Sequence, residues 1–519
     1  MMSTSMPKPP TQNPALTLAT LLRQNLIETI EGDPHTTISG VQHDSRRIGP
    51  GDMFAAISGN TYEGARFIGE AEARGAVAIL SGKLLKTSLA QAIVSNPRLA
   101  VGHIAETVYG HPTRTLSAVG ITGTNGKTTV SHLLEAAIGA SGGVPALMGT
   151  ICHRGPDFVV EASHTTPEGD DIARFARSMH ERGVTHLVME VSSHALALHR
   201  VDAVNFKIVA FVNLSQDHLD FHADMEAYFA AKERLFKHLM FETAVINIDD
   251  PYGRRLLETA KGRLLRCTTD PSVSEAEVKV IDIEADITGV RLRAQTPAGE
   301  IALTSALLGK HNAQNIMIAL GCAYALGLNL DQAVEGIESL GGVPGRMERI
   351  QVSPIENKAP QVFVDYAHTP EALRFALSTL SSFEPARVIV VFGCGGDRDK
   401  DKRPRMGNIA ASLADLLVLT NDNPRTERAA SILTDIEKGV RSVRQDRVSA
   451  AQLHDAEHGY ARIEDRKDAI VTAISIARSD DVVLIAGKGH EGYQIVGTET
   501  RPFSDGEVAR EALAEWRVR

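Results

Sequence analysis

Chemistry is concentrated first in the segment Gly123-Thr-Asn-Gly-Lys-Thr-Thr129. An apolar run at 116–121 leads into it, and Gly120, Gly123 and Gly126 punctuate it. Glycines at these positions let backbone N–H groups turn toward phosphate oxygens, and a helix opening at Lys127 adds positive potential. Lys127 then neutralises the outer phosphates, and the Thr128 hydroxyl is placed to ligate Mg²⁺. The usual phosphate-loop spacing asks for glycine at 121, where this chain has Ile121, so Gly120 and Gly123 share that work. A glycine-rich turn without a ligand is the alternative. Gly126-Lys127-Thr128 between a strand and a helix favours a nucleotide.

Three further places carry unusual residues. Glu190 ends the apolar run 186–190, and Ser192-Ser193-His194 follows it. Such a carboxylate is either solvated or paired with a cation, and beside a nucleotide loop a Mg²⁺ ligand is expected. Lys232 falls on the same helical stripe as Met225, Tyr228, Phe229, Leu235 and Phe236. An ammonium there must snorkel, pair or lose its charge; a neutral amine can take up CO₂ as a carbamate, an anionic oxygen ligand. Asn312 and Asn315 lie three apart at the start of an apolar helix. They suit an amide-like edge such as adenine, with helix capping as the plainer alternative.

These residues need strands and helices to position them. After the phosphate loop, Val130, Leu133, Leu134, Ala137 and Ile138 repeat at helical period. Strands expected at 116–121, 186–190, 208–213 and 244–247 alternate with helices, the pattern of a mostly parallel sheet whose ligands bind beyond the carboxyl ends of its strands. Asn213 leads into Ser215-Gln216-Asp217-His218 at one such end. A second alternating region places strands at 362–364, 388–392, 416–419 and 482–486. Its loops carry Asp365-Tyr366-Ala367-His368, then 393–403, Asp422-Asn423-Pro424-Arg425 and Gly487-Lys488-Gly489-His490-Glu491. It has no second phosphate loop.

A chain of 519 residues exceeds one ordinary core. The expected division is a disordered tail at 1–14, a small α/β domain at 15–111, a central ATP-binding domain at 112–344 and a C-terminal domain at 345–519. A formal net charge of −10 argues against a nucleic-acid or anionic-membrane binder. The four cysteines form no C-x-x-C pair, so neither a disulfide framework nor a zinc site is expected. The apolar stretch 316–328 is shorter than a membrane span. A cytoplasmic monomer is the expectation.

In order along the chain, Gly123-Thr-Asn-Gly-Lys-Thr-Thr129, Glu190-Val-Ser-Ser-His194, Asn213-Leu-Ser-Gln-Asp-His-Leu-Asp220, Gly309-x-x-Asn312-x-x-Asn315, Asp365-Tyr-Ala-His-Thr-Pro370 and Gly487-Lys-Gly-His-Glu491 resemble the motifs of the Mur ligases of bacterial cell-wall synthesis. Asp422-Asn-Pro-Arg425 resembles the mark of members that add meso-2,6-diaminopimelate to UDP-N-acetylmuramoyl-L-alanyl-D-glutamate. The resemblance implies three α/β domains: a uridine-binding domain, a phosphate-loop ATPase domain and a Rossmann-like C-terminal domain. It implies an ATP-dependent amide ligase working through an acyl phosphate.

The resemblance also implies residue roles. Gly123, Thr124, Asn125, Gly126, Lys127, Thr128 and Thr129 would bind ATP phosphates, and Asn312, Asn315, Arg346 and Asp365 the adenine and ribose. Two Mg²⁺ ions would be held by Thr128 with Glu190 and by His218 with carbamylated Lys232. Ser45 and the loop Asn60, Thr61, Tyr62 would hold the uridine diphosphate, and His164, Thr165, Thr166, Ser192 and Arg200 the muramoyl-dipeptide. Arg398, Asp422, Asn423, Pro424, Arg425, Gly487 and Glu491 would receive diaminopimelate. Leu198 stands where relatives carry Gln, and His43 where they carry an apolar residue beside the uridine.

The choice of amino acid also has a physical argument. Diaminopimelate differs from lysine by a carboxylate, which Arg425 and Arg398 can grip with bidentate forks, while Glu491 pairs the far ammonium. A site with buried arginines rejects lysine, which would leave them unpaired. The rival readings are a lysine-adding homologue, a folylpolyglutamate synthase-like ligase, and a phosphate-loop switch that hydrolyses nucleotide without an amine acceptor.

Overall fold

The computed structural model describes residues 16–59, 63–219, 221–352 and 359–516. The expected N-terminal tail and the expected Asn60-Thr61-Tyr62 contact lie outside these residues. The chain separates into two compact units. One holds residues up to Ile283 with Leu292–Leu303 and His311–Ser339; the other holds Glu284–Arg291, Thr304–Lys310 and everything from Leu340.

The first unit contains two sheets of parallel character. The smaller has the order Thr29–Glu31, Ala90–Ile93, Ala78–Ser81, Asp52–Ala55, Gly40–Gln42, with only the first pairing antiparallel. The larger includes, in order, Phe158–Glu161, Cys152–Gly155, Pro145–Met148, His186–Glu190, Ser117–Thr122, Phe206–Phe211, Thr243–Asn247 and Arg263–Thr268. From Pro145–Met148 to Arg263–Thr268 every pairing is parallel. Val119, Ile121, Val188 and Val209 are wholly buried, as fits strands covered on both faces.

The expected stripe of the helix Lys127–Ala140 is buried along its length, from Val130 to Ile138. The expected strand 208–213 instead ends at Phe211, the residue opposite Thr122. Val212 stays buried but turns into the loop, so the apolar run outlasts the ladder.

In the second unit the order is Glu348–Arg349, Gln361–Asp365, Val482–Ala486, Val388–Phe392, Leu416–Leu419, Gly459–Arg462. All pairings after the first are parallel, which brings the four expected polar loops to one edge. The four cysteines are free and buried. No described helix is long and apolar enough to cross a membrane.

Candidate active site

The central strand Ser117–Thr122 delivers the phosphate loop between the strands carrying Glu190 and Phe211. Gly126 adopts φ +82°, and a Cβ there would lie 2.3 Å from Asn315 Oδ1, so only glycine lets the Asn315 helix close on the loop. Thr124 N–H donates to the Asn213 carbonyl (3.0 Å) and Asn125 N–H to Asn213 Oδ1 (2.9 Å), which fixes the turn from a neighbouring strand end. Lys127 Nζ donates to the carbonyls of Gly123 and Thr124, both at 2.8 Å. Thr129 is buried on the inner side of the first helical turn.

Glu190 is fully buried, not a solvated strand end. Its Oε2 accepts from the Thr128 hydroxyl (3.0 Å) and the Thr150 hydroxyl (2.8 Å), and its Oε1 from Thr150 N–H (3.0 Å). Gly149 makes room, since a Cβ there would sit 2.4 Å from Glu190 Oε1. A buried carboxylate and a hydroxyl on one phosphate loop form an oxygen donor set that fits Mg²⁺.

Lys232 does not snorkel: it is 1% exposed on the helix Met225–Lys237. Its Nζ donates to the Gly123 carbonyl at 2.9 Å and lies 4.7 Å over the Tyr228 ring. Burial, reinforced by the charge of Lys127, drives its pKa well below the usual lysine range, against a weaker opposing pull from Asp217. His218 sits at φ +53° on the loop beyond Phe211, with its ring 6.1 Å from that of Tyr228 and 5.0 Å from that of His194. Tyr228 thus stands beside both proposed ligands, and its hydroxyl is 3.1 Å from that of Thr124.

The expected peptide-side residues join this cluster. The Thr166 hydroxyl donates to the Glu190 carbonyl (2.8 Å) and accepts from Ser192 N–H (3.0 Å), while Arg200 Nη1 donates to the Thr166 carbonyl (3.0 Å). Thr165 and Thr150 hydroxyls are 3.0 Å apart. Arg200 and Arg98 both engage Glu168. His164 is exposed, 3.3 Å from the Ser163 hydroxyl. Leu198 only ends the short helix Ser193–Ala197. In the smaller sheet's domain, the Ser45 hydroxyl donates to Glu70 (2.7 Å), and His43 is bonded to Asp170.

Asn312 lies inside the helix His311–Leu326, not at its cap, and its Oδ1 accepts from Asn315 Nδ2 at 2.7 Å. In the second unit, the Arg346 guanidinium lies 5.0 Å over the Tyr366 ring, and Asp365 accepts from Met347 N–H at 2.7 Å.

The same unit carries the residues expected to meet the amino acid, but neither arginine is buried as expected: Arg425 is half-buried and Arg398 exposed. Arg425 has φ +52°, its N–H donates to Ile495 O (3.1 Å) and its Nη1 to Gly396 O (2.9 Å). Arg398 is exposed; its Cγ and Arg425 Nη1 are the nearest side-chain atoms to a Cβ built on Gly395. Gly487, at φ +118°, allows Asp422 to approach, since a Cβ would meet its Oδ2 at 2.9 Å. Pro424 is buried between Asn423 and Arg425. Glu491, expected to meet an ammonium of the substrate, already has one: buried Lys488 donates to it at 2.8 Å and to Asn423 Oδ1 at 3.1 Å, and Asn423 Nδ2 donates to Glu491 at 2.9 Å.

Sequence reasoning left Thr150, Glu168, Asp170 and Lys488 without roles. Thr150 had a usable signal, because it follows the apolar strand Pro145–Met148 at the same carboxyl edge as Glu190.

Family models match at residues 37–108 (Mur ligase family, catalytic domain), 121–323 (Mur ligase middle domain) and 345–489 (Mur ligase, glutamate ligase domain). A UDP-N-acetylmuramoyl-L-alanyl-D-glutamate--2,6-diaminopimelate ligase of Geobacter metallireducens is 42% identical, over 92% of this chain and 94% of its own. One of Parasynechococcus marenigrum is 41% identical, over 96% and 99%. A solved structure of a ligase of that same name superposes with a TM-score of 0.68 at 31% identity, over 96% of this chain and 99% of its own. A folylpolyglutamate synthase of Mycobacterium tuberculosis shares the fold, at a TM-score of 0.57 and 19% identity, over 74% of this chain and 91% of its own.

Proposed function

This chain belongs to the Mur ligase family, and from that premise we propose that it is the ATP-dependent ligase joining meso-2,6-diaminopimelate to the D-glutamyl side-chain carboxylate of UDP-N-acetylmuramoyl-L-alanyl-D-glutamate, a step of peptidoglycan precursor synthesis. One observation carries the reading. The Thr150 hydroxyl bonds both Glu190, on the phosphate side, and Thr165, on the peptide side. A carboxylate lodged among Thr165, Thr166, Ser192 and Arg200 is then a neighbour of the phosphate loop.

In the reaction, an oxygen of the glutamyl carboxylate attacks the γ-phosphorus of ATP and ADP leaves. The amine of diaminopimelate attacks the resulting acyl carbon, loses its proton, and inorganic phosphate departs with the original carboxylate oxygen. Lys127 and the loop amides from Gly123 to Thr129 hold the phosphates and spread their charge. Asn312, Asn315, Arg346 and Asp365 are the residues assigned to adenine and ribose.

Thr128 with Glu190, and His218 with Lys232, would hold Mg²⁺, which would neutralise charge on the transferring phosphoryl. The second set requires Lys232 as its carbamate; what supports this is a buried amine with depressed basicity. Ser45, with the loop Asn60-Thr61-Tyr62, takes the uridine end, and His164 flanks the dipeptide.

Arg425 and Arg398 grip the distal carboxylate of diaminopimelate, supported by Asp422, Asn423, Pro424 and Gly487. Glu491, whose Oε2 accepts from Lys488 and Asn423, meets the distal ammonium through its other oxygen. Phosphate release that requires both the UDP-linked dipeptide and diaminopimelate tests the assignment; release without the amine points to a nucleotide switch, and faster turnover of lysine overturns the choice of amino acid. We place the chain in the cytoplasm as a monomer, which a dimer mass in sedimentation at working concentration overturns.

A further inference from the structure

We propose that His43 is an additional substrate-binding residue whose Nε2–H donates to an anionic oxygen of the uridine diphosphate. The inference rests on the function proposed above and adds a side chain to its substrate site.

His43 leaves the carboxyl end of the strand Gly40–Gln42, two residues before Ser45. Its ring is fixed from the neighbouring domain. Nδ1 lies 2.9 Å from both carboxylate oxygens of Asp170, and the His43 N–H donates to Asp170 Oδ2 at 3.0 Å. Asp170 is fully buried in the first turn of the helix Gly169–Glu181. A carboxylate on Nδ1 fixes the ring's orientation and stabilises its protonated form. Burial disfavours that form, but Asp170 outweighs it and the imidazole pKa rises to about 9.

At neutral pH the second nitrogen therefore carries a proton. Among the described residues none accepts it, and the ring keeps 27% of its surface exposed.

The surroundings favour an anion. His43, Arg47, Arg174, Arg98 and Arg200 bring five cations against the three carboxylates Asp170, Asp171 and Glu168. Asp44 is matched by Arg46. This is a local positive excess in a chain of net charge −10. The charge of His43 also reaches His164, on the proposed peptide side. His43 thus lies two residues from Ser45, assigned to the uridine end, and within electrostatic reach of His164, assigned to the peptide end.

The test is His43→Asn. Its amide nitrogen can occupy the place of Nδ1 and keep the bond to Asp170, while Nε2 is removed. The expected result is a roughly tenfold rise in KM for the UDP-linked dipeptide, the loss of one charge-assisted hydrogen bond, with KM for ATP and diaminopimelate unchanged. Calorimetry should show UDP binding weakened by the same factor and uridine binding unaffected. Asp170→Asn, which leaves the ring but not its charge, should give the same split between UDP and uridine, so the question stays decidable if His43→Asn misfolds. An unchanged KM, or equal weakening of UDP and uridine, overturns the inference. A wild-type chain that binds no UDP overturns the proposed function with it, whereas wild type and variant binding UDP equally overturn only the role of His43.

Discussion

Lys127 and Lys232 direct their Nζ atoms at a single acceptor, the Gly123 carbonyl oxygen, at 2.8 and 2.9 Å. Two ammonium groups that close repel each other, and only one of them needs its charge for phosphate binding. The buried member, Lys232, is the one whose proton is destabilised. A neutral amine beside a phosphate loop is what carbamate formation requires. Activity should fall in CO₂-depleted buffer and return with bicarbonate; indifference to CO₂ would remove the carbamate from the mechanism.

Replacing Lys232 by Met separates stability from function. A lysine whose folded pKa lies below its unfolded value destabilises the fold at every pH under the unfolded value, and more so as pH falls toward the folded one. In CO₂-depleted buffer, where Lys232 is the free amine, Lys232→Met should therefore raise the melting temperature at pH 7, by a margin that shrinks toward pH 10; in any buffer it should abolish ligation. A variant that melts earlier at pH 7 would contradict the buried, uncharged state.

Glu190→Gln probes the oxygen donor set. The carboxylate accepts three hydrogen bonds, from Thr128 and twice from Thr150, and an amide cannot accept with both ends. The Mg²⁺ concentration for half-maximal activity should rise by roughly 10–100-fold. An unchanged metal requirement in a metal titration would exclude Glu190 from the site.

Arg425→Lys keeps the backbone at φ +52° and the positive charge, removing only the fork. KM for diaminopimelate should rise about 10–100-fold, as for a charged hydrogen-bonding group lost from a substrate contact, with KM for ATP unchanged. Equal KM values for the two enzymes would place the distal carboxylate elsewhere.

The His43–Asp170 bond predicts a pH window for the fastening of the first domain to the helix Gly169–Glu181. His43 titrates higher folded than unfolded, so its contribution is whole below about pH 6.5 and gone above about 9. Burial opposes the ionised form of Asp170, but His43 and Arg174 prevail and its pKa falls to about 2, so its contribution is present above about 3.8 and lost as pH drops toward 2. Melting curves of wild type and Asp170→Asn should differ most between about pH 4 and 6.5 and converge above 9. Parallel curves up to pH 10 would show that the pair adds no pH-dependent stability.

What the sequence made legible was local. Lys232 stood out because helical period alone put an amine on an apolar stripe, and the phosphate loop because its glycines, Lys127 and Thr128 are contiguous. Thr150 was hidden because Gly149-Thr150 reads as a plain turn; its value depends on Pro145–Met148 pairing with His186–Glu190, and strand order is not written in periodicity. The His43–Asp170 bond joins residues 127 apart, and nothing local announces it. Glu491 could be placed at the amino-acid site, but its ammonium partner Lys488 is set by the bend of the loop.

The pairing of Thr122 with Phe211 bears on how the molecule is made. The strand bearing the phosphate loop is wedged between Glu190's strand and Phe211's, and both leave the ribosome after it. A nascent chain halted before His186 has its loop flanked by unformed neighbours, so competence for nucleotide should arrive abruptly during synthesis, once the strand ending at Phe211 has emerged.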